Sequence, residues 1–154
     1  MNNEQTPSPD DLVYLAGGDV DQGNLSLCLY GDDLNPTSLS ELLGLEPTRS
    51  HRKGETHGVD NSGIWKTGAW IHKVTALAPT TPQELASDLL ESLPDRDKLW
   101  QDLTAKYRVV VWFGLYMETY NRDFKIENAV LTRLAAIGAD VVFDMYYDER
   151  VKEQ

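Results

Sequence analysis

The run LSLCLYGDDLNPTSLSELLGLEP, Leu25 to Pro47, constrains this chain more than any other stretch. Leu25, Leu27 and Leu29 alternate with Ser26, Cys28 and Tyr30, the period of a strand with one buried face. Gly31, Asp32 and Asp33 end that strand with turn chemistry. Asn35 then offers a side-chain oxygen to the free amides of a helix, and Pro36 takes the first helical position, where its missing N–H costs nothing. Leu39, Leu42 and Leu43 form one apolar stripe. Gly44 supplies a left-handed cap, and Pro47 prevents the helix from resuming. A helix of about two turns does not hold itself together in water, so it must pack on the strand before it.

The rest of the chain repeats this alternation. Leu12 to Ala16 reads as a short edge strand, and Gly17 to Asn24 as a turn-rich connection. Thr48 to Gly63 is polar with three glycines and reads as a long loop. Ile64 to Val74 is strand-like; a turn near Thr67 and Gly68 decides whether Trp65 and Trp70 share a face. Thr81-Pro82-Gln83-Glu84 is a capping box, and its helix buries Leu85, Leu89, Leu90 and Leu93. Pro94 breaks it, and Asp95 is expected to cap a second helix that buries Leu99, Trp100, Leu103 and Tyr107. Arg108 to Met117 is nearly continuously apolar, as in a central strand covered on both faces or nearly so. A helix over Phe124 to Ile137, capped by Gly138, and a strand over Val141 to Tyr147 complete the order. The expected fold is α+β: a four- or five-stranded, mostly antiparallel sheet with helices mainly on one face. The strand–turn–helix–Gly unit at 25–44 recurs at 108–138, a loose β-α-β pseudo-duplication. Residues 1–10 are expected to be a flexible tail, 11–148 one domain, and 149–154 a charged tail.

Charge narrows the function classes. The net charge is −11, which repels nucleic-acid backbones overall. The first 48 residues hold nine acids and no Lys or Arg. The bases concentrate in 49–73, five against two acids. No apolar run is long enough to span a membrane, and the start has no signal-peptide pattern. With a single cysteine, Cys28, placed among strand leucines, a reducing cytoplasm is the expected location.

The candidate chemistry is sparse. Arg49 to His57 is the one basic island, where Arg52, Lys53 and the backbone at Gly54 are suited to an anion; a solvated loop paired with nearby acids is the plain alternative. His51, His57 and His72 fall within 22 residues, but their spacing matches no metal motif. Asp144 lies between Phe143 and Met145 and shares a face with Val142 and Tyr146. It is either partly buried, with Lys66 as its partner, or a surface acid. Trp65, Trp70, Trp112, Tyr116, Tyr120, Tyr146 and Tyr147 concentrate on strands; any that leave an uncovered sheet face would form a binding platform.

Several of these motifs resemble a mainly bacterial family, the domain of unknown function DUF4279. The resemblance rests on GDDLNPTSLSELLGLEP at 31–47, on Lys53-Gly54-Glu55, on Trp65 beginning a strand, and on LTRLAAIGADVVFDMYY at 131–147. It spans roughly residues 24–148. Glu127 stands where the family tends to carry a small hydroxyl residue. The resemblance implies an α+β domain and no established activity.

Two functions are compatible with these residues. The first is a non-enzymatic protein-binding module, acidic and aromatic, of which an immunity or inhibitor role against a basic toxin or nuclease is one version. The second is a small-anion or small-ligand binder, or an enzyme, with a pocket built from Arg52, Lys53, Trp65, Asp144 and Tyr146. No cofactor, metal, membrane or nucleic-acid partner is expected. A homodimer stays open, with an edge strand near Leu12 or Leu25 pairing across a two-fold.

Overall fold

The computed structural model describes residues 18–75, 81–119 and 121–147. Eleven elements follow in order: β1 (Gln22–Gly31), α1 (Pro36–Leu43), β2 (Arg49–His51), β3 (Thr56–His57), β4 (Gly63–Ile64), β5 (Gly68–Thr75), α2 (Pro82–Ser92), α3 (Asp97–Thr104), β6 (Arg108–Met117), α4 (Asn128–Ala136) and β7 (Asp140–Tyr147). Five strands form one sheet in the order β2-β5-β1-β6-β7, and β3 pairs with β4 in a separate hairpin. All neighbours in the large sheet are antiparallel except β6 and β7, which are parallel and joined through α4. β1 and β2 both run antiparallel to β5, so they are parallel to each other with β5 between them. Each half of the chain thus holds a β-α-β unit, which gives the loose duplication a topological form.

The local chemistry of α1 acts as its residues imply. The Asn35 side chain accepts from the Thr37 and Ser38 amides, and Gly44 takes a left-handed φ of 67° while donating to the Ser40 carbonyl. Thr81 and Glu84 complete their reciprocal capping box at the start of α2. α3 departs from expectation. Its N-cap is Arg96 with no side-chain cap bond, one residue beyond Asp95. α4 starts at Asn128, later than Phe124, and the amide of its N-cap Glu127 donates to Gln83 Oε1 at 2.8 Å. The segment 48–63 is not a plain loop. It holds β2 and most of the β3–β4 hairpin.

Burial follows the register. Leu25, Leu27 and Leu29 of β1 and Val109, Val111, Phe113 and Leu115 of β6 point to one face and are buried under the helices. Leu39 and Leu43 of α1, Leu85 and Leu89 of α2 and Leu134 of α4 meet them. Each such leucine contributes about 1.5–3 kcal/mol through area removed from water. Trp70 of β5 is fully buried in the same layer, and its indole N–H donates to Ser40 Oγ at 3.1 Å, tying α1 to β5. β1 is the middle strand, hydrogen-bonded on both sides, so the strand at Leu25 is not an edge. Leu12, the two proposed tails and Tyr120 lie outside the described residues.

Candidate functional site

Helices cover one face of the sheet, and the other face is the larger unassigned surface. Register fixes what it carries. Across the strands lie His51, Ala69, Tyr30 and Arg108 in one row, then Arg49, Ile71, Cys28, Val110 and Asp140 in the next. Lys73, Ser26, Trp112 and Val142 follow, then Asn24, Gly114 and Asp144, then Gln22, Tyr116 and Tyr146. β6 is therefore covered on one face only. On the other, Val110 is buried, whereas Trp112 and Tyr116 are 40% and 39% exposed. Tyr146, 44% exposed, stacks on Tyr116 with ring centroids 4.8 Å apart. The Tyr146 hydroxyl donates to the Asp144 carboxylate, which holds the phenol above its ordinary range. This patch is an aromatic platform on β6 and the edge strand β7.

The opposite end of the same face is roofed. The backbone of Trp65 exchanges bonds with Gly54 and Glu55, 2.8 and 2.9 Å, extending the β3–β4 ladder. The indole then stacks on His51 with centroids 3.8 Å apart and lies tilted against His57 at 4.1 Å. Trp65 and Trp70 are separated as the break before Gly68 allows: Trp70 enters the core and Trp65 lies over the open face. Between the hairpin and β2, β5 and the end of β1 is a cleft of ≈ 390 Å³. Tyr30, Arg49, His51, Trp65, Lys66 and Ile71 are among its walls. Burial holds the His51 imidazole below its ordinary value, and Arg49 pushes the same way against Glu55. Burial, with help from Cys28, pushes the Tyr30 phenol up to about 12. Burial likewise raises the Cys28 thiol. Tyr30 is thus a protonated donor at neutral pH, and Cys28 is an un-ionised strand residue.

The five residues singled out from the sequence do not meet. Arg52 Nη2 donates to Asn35 Oδ1 at 2.9 Å, and Lys53 pairs with Asp32. Both bases fasten the hairpin to the β1–α1 turn. Trp65 alone of the five lines the cleft. Asp144 and Tyr146 sit on β7, the far edge strand from β2, roughly 19 Å away at four strand spacings. Asp144 has Tyr146 for a partner, and Lys66 is at the other end of the face. His72 is apart from the other two histidines: its Nδ1 donates to the Glu46 carbonyl at 2.7 Å. Among the described residues no three His, Cys, Asp or Glu side chains converge as a metal set.

Acidic and aromatic residues occupy different sides. α2 carries Glu84, Asp88 and Glu91 with no base, and α3 carries Asp97 and Asp102 against Lys98. The uncovered face carries Arg49, Lys73 and Arg108 against Asp140 and Asp144, and Arg108 and Asp140 pair at 3.4 Å. Among the described residues no helix is long and apolar enough to cross a membrane. A family model described as "Domain of unknown function (DUF4279)" matches residues 21–148. No curated protein and no solved structure matches this chain.

Proposed function

This chain belongs to the DUF4279 family, whose description names no activity, and we propose that it is a non-enzymatic protein-binding module acting through the uncovered face of its sheet. One observation carries the reading: Trp112, Tyr116 and Tyr146 share one face of the sheet, each about two-fifths exposed, and Tyr116 and Tyr146 are stacked. Large rigid aromatics give much contact area for little lost rotamer freedom and dominate interface energetics. Lys73 on the same face has no ion pair among the described residues, while Asp144 is already engaged by Tyr146. The fitting partner is a protein that offers an apolar anchor to Trp112 and a carboxylate to Lys73. The single cysteine, buried and un-ionised, suits a cytoplasmic setting.

An immunity- or inhibitor-like role against a basic protein would use the other side, where Glu84, Asp88 and Glu91 project from α2. Affinity purification from the native host, with three variants compared for the same co-purifying protein, separates the two. A partner lost with Trp112→Thr or Tyr116→Ser and kept with Asp88→Lys/Glu91→Lys supports the open face. A partner kept with both aromatic variants and lost with the charge reversal refutes it, and so does the recovery of no partner protein.

A further inference from the structure

We propose that the cleft under Trp65 binds a small carboxylate with an apolar body. This goes beyond the partner surface, from which it is distinct in residues and in ligand.

The cleft volume of ≈ 390 Å³ falls within the range of about 300–1,000 Å³ that small-molecule sites occupy. No Asp or Glu lines it, yet Arg49 and Lys66 both do. This is unusual for a chain with 25 acids and 14 bases. Lys53, Lys98, Arg108, Arg122 and Lys125 each have a carboxylate partner. The side chains of Arg49 and Lys66 have no hydrogen-bond or ion-pair partner among the described residues, as is also true of Lys73 and Lys106 outside the cleft. Two exposed cations without a carboxylate partner on this wall, where Glu55 acts only on His51 nearby, favour an anion arriving from solution.

The rest of the lining selects among anions. A guanidinium presents a fork that matches a carboxylate with two parallel hydrogen bonds. Tyr30 adds a protonated phenol to the lining, hydrogen-bonded to Cys28. Trp65, Ile71 and Ala69 supply apolar surface, so a bare inorganic anion would leave that wall unused. The roof is rigid before the ligand arrives. Trp65 is held by two backbone bonds and by contact with two imidazoles, which lowers the ordering cost of binding.

Isothermal titration of the whole chain with benzoate, phenylacetate and butyrate tests this, with benzamide and inorganic phosphate as counter-probes. Saturable one-to-one binding is expected for at least one carboxylate. Benzamide and phosphate are expected to bind at least about tenfold more weakly. Arg49→Gln should weaken the best carboxylate about tenfold or more, and Arg49→Lys by less, because it keeps charge without the fork. Lys125→Gln, which removes one surface base elsewhere, should leave binding unchanged. Three results overturn the proposal: no saturable binding of any carboxylate up to about 10 mM, benzamide or phosphate binding as tightly as the best carboxylate, or Arg49→Gln binding like wild type. The wild-type comparison of benzoate with benzamide decides the matter even where a variant fails to fold.

Discussion

Ser40→Ala is a small change with a large expected cost. Ser40 is 9% exposed on α1, and its Oγ accepts from Nε1 of Trp70, which is fully buried. Alanine deletes the acceptor and leaves an indole N–H in the core without a partner. An unsatisfied buried donor costs about 1–3 kcal/mol. Against this, alanine is the better helix former by up to about 0.5 kcal/mol. The net is a destabilisation of about 1–2 kcal/mol, which for a chain of this size lowers Tm by roughly 2–8 °C. Urea denaturation measures it, and an unchanged m-value shows that the unfolded state is not the cause. A double-mutant cycle with Trp70→Phe isolates the bond. Phenylalanine carries no N–H, so Ser40→Ala in that background should be neutral or slightly stabilising, and the coupling should be about 1–2 kcal/mol. A Ser40→Ala cost below about 0.5 kcal/mol, or the same cost in both backgrounds, would refute the claim that this bond fixes α1 on β5.

Two further perturbations test separate parts of the fold. Gly44 and Gly138 both have φ of 67°, but a Cβ at Gly44 meets nothing within 4 Å, while one at Gly138 comes 2.5 Å from Thr104 Cγ2. Thr104 cannot rotate away cheaply, since its hydroxyl donates to the Trp100 carbonyl at 2.9 Å. Gly44→Ala should cost about 1 kcal/mol, and Gly138→Ala clearly more in the same chemical denaturation; equal costs would rule out the close approach. Asp21 accepts two bonds from Arg122, 2.9 and 2.7 Å, which hold its carboxyl below the ordinary carboxylate range. Its folded pKa is depressed, so its stabilisation is present above the unfolded pKa and fades as pH falls through the folded one. Asp21→Asn should therefore lower Tm at pH 7 and flatten the decline of Tm with acid below about pH 4, with parallel wild-type and variant pH profiles as the contrary result.

Much of this architecture is legible in the sequence because its causes are local. Asn35, Pro36 and Gly44 each serve backbone groups a few residues away, and so do Thr81 and Glu84. The alternation of Leu25, Leu27 and Leu29 marks the core face of β1 directly. β2, β3 and β4 are illegible for the opposite reason. Runs of two or three residues such as Arg49–His51 hold no period, and their pairing depends on β5 or on each other. The site suffers from the same limit. The basic island is visible, but whether Arg52 turns to Asn35 or toward the open face is decided by a partner seventeen residues back. The separation of Asp144 from Trp65 is a matter of strand order, which composition and spacing do not encode.

The central place of β1 has a consequence for how the molecule is made. During synthesis this strand emerges before the other strands of the described sheet, and β5 can cover one of its edges after a short wait. Its other edge is reserved for β6, nearly eighty residues later. At ribosomal rates of about 5–20 residues per second, that edge stays bare for roughly 4–16 s. For that interval the nascent chain presents an apolar strand with unpaired backbone, so chaperone capture and translation speed bear on its yield more than on its final stability.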